Sequence, residues 1–81
     1  MTVFEISNQA LKEFYLCASE RPMDELMRLH CDRPPAAIAH WGKDQGVYYA
    51  EVERFATKDL AGVFMENYRE VLARTGWKVL V

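Results

Sequence analysis

Residues 7–19 read SNQALKEFYLCAS, and the way this stretch folds decides the architecture, because it joins the first strand-like segment to all that follows. Ser7 and Asn8 carry the short polar side chains that cap helices. Counting on from them, Ala10, Leu11, Phe14, Cys17 and Ala18 fall within one broad helical face. The stretch therefore reads as a helix with Cys17 in its core-facing stripe.

Upstream, TVFEI (2–6) mixes β-branched and aromatic residues with a period of two and reads as the first strand. Downstream, Pro22 pulls Arg21 out of helical geometry but suits the first turn of a new helix, so the first helical region is expected to kink or split there. Met23, Leu26, Met27 and His30 then recur at helical spacing until Pro34-Pro35 ends the run. AAIAHW (36–41) reads as a short strand, GKDQG (42–46) as a turn and VYYAEVERF (47–55) as a second arm of strong β-formers, together a hairpin. Thr57 caps a second helix whose apolar arc holds Leu60, Phe64, Tyr68, Val71 and Leu72. Gly76 fits the left-handed residue that ends helices, and WKVLV (77–81) supplies a last strand.

The order β-α-β-β-α-β with right-handed crossovers predicts an α+β fold, the ferredoxin-like split βαβ sandwich. Its four-stranded antiparallel sheet would run 4-1-3-2 with both helices on one face. The chain of 81 residues is expected to form one domain, 1–81, since two cores would each fall below a self-supporting size. So small a core gains from a second copy, which favours dimerisation.

Composition narrows the partners. The chain is 51% hydrophobic and 27% charged, that of an ordered globular protein. Ten basic against twelve acidic residues, with no Lys/Arg cluster, argue against nucleic acid. No apolar run approaches the ~20 residues that cross a bilayer, and Glu5 stands where a secretory leader would begin with basic charge, so the expectation is a cytoplasmic protein with no membrane contact. Two cysteines, Cys17 and Cys31, make no disulfide framework and read as free thiols.

In the expected sheet Phe4, Ile6, Tyr48, Ala50 and Val52 face the helices. The opposite, open face then carries Val3, Ile38, His40, Tyr49 and Leu80 among Glu5, Glu51, Glu53 and Lys78. Three readings of that face follow. It is a solvated surface with ion pairs such as Lys78 with Glu5. Or two copies pack it together, with Val3, Ile38, Tyr49 and Leu80 at the centre of the interface. Or His40, Glu51, Glu5 and Glu53 converge to bind a divalent cation or a small molecule.

LHCDRPPAAIAHW (29–41) holds both histidines and one cysteine, yet the spacing argues against zinc: the cysteines stand fourteen apart, the histidines ten, and His30 and Cys31 are adjacent and so diverge by about 100° on a helix. Cys31 near a helix C-terminus lies at the pole that raises a thiol pKa, which removes it as a nucleophile. The chain has no phosphate-binding glycine loop or nucleophile elbow. Tyr48-Tyr49 resembles base-stacking aromatics in position but is flanked by glutamates that repel phosphate. No catalytic residue, resident metal or cofactor is expected. The sequence favours a small non-enzymatic interaction or regulatory module that self-associates through an open sheet face or an edge strand, with a homodimer or another protein as partner. The competing expectation is a small-molecule or divalent-metal-binding domain using His40, Glu51 and Glu5.

Overall fold

The computed structural model describes residues 1–41 and 46–80. The chain runs β1 (Thr2–Asn8), β2 (Glu13–Ser19), α1 (Met23–Asp32), a 3-10 helix (Ala36–Trp41), β3 (Val47–Arg54), α2 (Lys58–Arg74) and β4 (Lys78–Leu80). It is an α+β fold with an open mixed sheet in the order β3-β1-β2-β4.

The stretch after β1 is not a helix. Asn8 Oδ1 accepts the Leu11 amide at 3.1 Å, Lys12 takes the left-handed φ of 52°, and the chain returns as β2 antiparallel to β1. The physical reason lies in Phe14–Ala18. That run has no polar residue, so a helix there would leave Tyr15 or Leu16 on its wet side. As a strand buried from both sides it sends Phe14 and Leu16 one way and Tyr15 and Cys17 the other. No helix precedes Pro22 to be kinked; Pro22 itself is the N-cap residue of α1, at φ −62° and ψ 156°.

AAIAHW is likewise not a strand. Pro35 carbonyl accepts the Ile38 amide at 3.0 Å, and three residues per turn stack Ile38 above Trp41, both buried. The expected hairpin of 36–41 with 47–55 is thus replaced by the β1–β2 hairpin; of the turn expected at 42–46, residues 42–45 lie outside the described residues, as does Val81. The ferredoxin-like order is not adopted. β3 does flank β1 in antiparallel register as expected, whereas β4 pairs in parallel with β2. Thr57 caps α2 through its hydroxyl, which accepts the Leu60 amide at 3.2 Å, and Gly76 follows α2 at φ 92°, both as the sequence indicates.

Helices cover both faces of the sheet, not one. On one side α2 packs over Val3, Phe14 and Leu16, with Trp77 edge-on to Phe14 at 6.4 Å between centroids. On the other side the 3-10 helix and α1 lie over Ile6, Tyr15, Cys17 and Tyr49. The open face expected from the sequence is therefore divided between two buried layers. Its residues were assigned with Phe4 and Ile6 sharing a side with Tyr48 and Ala50; the register pairs Ile6 with Tyr49 and Glu5 with Ala50, a shift of one residue that exchanges the two faces of β3.

Truncating Phe14 to alanine removes the centre of the α2 layer and is expected to destabilise the fold by about 3–5 kcal/mol, whereas Thr57→Ala removes one cap and costs about 1 kcal/mol. Urea unfolding followed by circular dichroism checks both, and the order of the two effects is the critical outcome.

Candidate functional site

Two side-chain clusters and one bare strand account for the chemistry-bearing residues. The first cluster ties the 3-10 helix to β2. Glu13 Oε1 accepts His40 Nε2 and Trp41 Nε1, each at 2.8 Å, and Lys78 Nζ stands 3.7 Å from Oε2. The His40 and Trp41 hydrogen bonds, helped by the Lys78 charge, hold the Glu13 carboxyl below its ordinary range. The arrangement fixes one ring nitrogen, Nε2, of a half-exposed imidazole.

The second cluster lies between α1 and the sheet. His30 Nδ1 is 3.1 Å from the Tyr49 hydroxyl, the rings 5.9 Å apart. Burial lowers the His30 pKa and raises that of Tyr49, Cys17 and Cys31 adding to the latter. His30 Nδ1 and the Tyr49 hydroxyl share a hydrogen bond whose direction is set by the imidazole tautomer. Cys17 behind them is pushed up to about 11 by burial, which keeps its thiol protonated, while Cys31 is exposed.

The residues expected on a common face separate. Val3 is buried under α2; Ile38, Tyr49 and Leu80 belong to the opposite layer. Glu5 faces α2, where its carboxylate accepts the Tyr68 hydroxyl at 3.1 Å. His40 meets Glu13, not Glu51 or Glu5. Glu51 accepts Arg54 Nε at 2.7 Å, and Glu53 accepts the Arg54 amide at 3.1 Å, both on the surface. Lys78 stands beside Glu13 and not Glu5. Among the described residues no three His, Cys, Asp or Glu side chains converge as a metal would require. Glu5 lies on the α2 side of the sheet, whereas His40 and Glu51 lie on the other, His40 bound to Glu13 and Glu51 to Arg54.

Glu13 and Tyr48 were not singled out by sequence as functional, and their signal was period-two alternation in β2 and β3: Glu13, Tyr15 and Cys17 share one face once residues 13–19 are read as a strand. An open cleft of about 620 Å³ runs from Met1 and Ala18 to Pro22 and Glu25. Its Arg21–Glu25 pair, 2.8 Å apart, is internally neutralised and half-exposed, so it selects no charged ligand.

The bare strand is β3. Among the described residues it forms one edge of the sheet, pairing with β1 alone. α2 sits mainly over β2, β4 and β1 and meets β3 at Val52. Tyr48 is 60% exposed and Ala50 also lies open. No family model, curated protein or solved structure matches the chain. Among the described residues no helix is long and apolar enough to cross a membrane.

Acid is expected to destabilise the fold in two stages. The folded pKa of His30 lies below its ordinary 6.5, so stability from its neutral form is complete above that pH and is lost as pH falls beneath it. The folded pKa of Glu13 lies below its ordinary 4.5, so its contribution survives to lower pH and then disappears. Denaturant midpoints measured across pH should lose the first stage in His30→Gln and the second in Glu13→Gln.

Proposed function

We propose that this chain is a non-enzymatic interaction module that self-associates by pairing the outer edge of β3 with the same edge of a second copy. The observation that supports the reading is the contrast between the two edges of the sheet. β4 has three residues among those described, while β3 presents eight, and such an edge is a template for another strand.

The edge is not uniform. Between Val3 and Phe4 the β1–β3 register slips, placing an extra residue of β3 at Val52, and Glu51, Glu53 and Arg54 cluster around that bulge. A bulge and charges discourage pairing. Val47–Ala50 has neither. A two-fold axis near Tyr49 or Ala50 sets no two glutamates opposite one another, whereas an axis near Glu51 or Val52 sets glutamates against glutamates.

A pairing of four or five residues falls short of the roughly 800 Å² that each partner covers in a standard interface, so association belongs in the micromolar range. The two free cysteines suit a reducing, cytoplasmic setting for such a module. Light scattering coupled to size-exclusion chromatography, at loadings up to about 300 µM, is expected to give a dimer that Tyr48→Lys combined with Ala50→Lys returns to monomer. A wild type that stays monomeric at the highest loading ends the proposal. Tyr49 is unsuited to this test, since its hydroxyl is engaged by His30 and its substitution would disturb α1.

A further inference from the structure

We infer that His40 is a phosphoryl-acceptor site, its imidazole Nδ1 taking a phosphoryl group from an activated donor whose leaving group is an amine or a carboxylate. The site is built by β2 and the 3-10 helix, and β1 separates it from β3 in the sheet, so it is independent of whether two copies pair.

The carboxylate of Glu13 sets the imidazole up. An ionised carboxylate only accepts hydrogen bonds, so the ring nitrogen that faces it at 2.8 Å, Nε2, carries the proton. The lone pair of neutral His40 therefore stands on Nδ1. Among the described residues no hydrogen bond engages Nδ1, and the His40 side chain is 49% exposed. Glu13 is only 12% exposed, and Trp41, whose Nε1 shares its Oε1, is buried against Ile6 and Ile38. The core thus clamps the carboxylate while the imidazole that it orients is offered to solvent.

Attack by Nδ1 leaves the ring with a substituent on one nitrogen and a proton on the other, which makes it an imidazolium. That positive charge appears beside Glu13, and the hydrogen bond from Nε2 becomes charge-assisted at both ends. With phosphoramidate as donor, the bond from Nδ1 to phosphorus forms as the donor's P–N bond breaks. The bonding pair leaves on ammonia, which takes a proton from water, while the Nε2 proton stays on the ring. Lys78 Nζ, 3.7 Å from Glu13 Oε2 and largely exposed, supplies a cation for the incoming phosphate oxygens. A resident metal on His40 would need further ligands, and among the described residues no three His, Cys, Asp or Glu side chains converge. The transferred group adds about two negative charges at neutral pH, a reversible change of charge suited to a regulatory module.

Exposure of the full chain to phosphoramidate, followed by intact mass and phosphorus NMR, tests this. One phosphoryl group is expected on His40 Nδ1, arriving at least about tenfold faster than on N-acetylhistidine in the same solution, the usual difference between a hydrogen bond to a charged group and none or a neutral one. His40→Gln should leave the chain unmodified and His30→Gln should change nothing. Glu13→Gln still accepts from Nε2 through its amide oxygen but lacks the charge; it should slow the transfer about tenfold with an unchanged circular dichroism spectrum. Phosphorylation on Nε2, on His30 or on a lysine overturns the inference. So does a rate no faster than that of N-acetylhistidine, or one that Glu13→Gln leaves alone. Loss of β3 pairing touches none of these outcomes, so the two proposals fail separately.

Discussion

The constraint on which the rest of the structure depends is the burial of β1 and β2 from both sides. Val3, Phe4, Ile6, Phe14 and Leu16 are all at or below 2% exposure, although they point alternately to opposite faces. A strand pair apolar on both faces cannot stay at the surface of a two-layer domain; it needs helices above and below. The tight turn from Asn8 to Lys12 makes the pair possible, since the Asn8 side chain closes it and Lys12 accepts a left-handed backbone. From this hairpin follow the central place of β1 and β2, the segregation of α1 and the 3-10 helix from α2, and the parallel addition of β4 beyond β2.

Much of the outline was legible in the sequence. The β-rich runs at 2–6 and 47–55, the Thr57 cap, the Phe64, Tyr68 and Leu72 part of the α2 stripe (Leu60 and Val71 are exposed) and the prolines that end α1 are local signals, and local signals decided those elements. The misread segments are those in which two periods compete. In residues 8–18 the apolar positions satisfy a helical count as well as a strand buried twice, and nothing within the segment distinguishes them; the decision belongs to the sheet that accepts both faces. In residues 36–41, alanines with one isoleucine carry little β preference, and Pro35 supplies the carbonyl that starts a tight turn.

The candidate site inherited those two readings. Glu13 was hidden inside a supposed helix, so His40 was given carboxylate partners from β1 and β3 instead of the one on β2 that it meets. The faces of β3 were exchanged because the register with β1, which pairs Ile6 with Tyr49, is set by main-chain pairing and not by any pattern within VYYAEVER. That exchange moved Tyr49 from an open surface to a partly buried hydrogen bond with His30, and moved Tyr48 into solvent. Surface chemistry on a strand is therefore only as legible as its register.

The distribution of helices gives the exposed half of the molecule its character. Ten residues of α1 and the six of the 3-10 helix share one face of the sheet, whereas the other has α2 alone. A single helix about 10 Å across shields about two strands, and α2 lies over β2 and β4 because the Phe14, Leu16 and Val79 side chains supply its footing there. β3 keeps Tyr48 and Ala50 uncovered on that side and, among the described residues, an unpaired backbone along its rim. A chain with so small a core would gain stability by covering these groups internally. That they stay open, with the bulge and charges confined to one half of the same strand, agrees with the edge pairing proposed for Val47–Ala50.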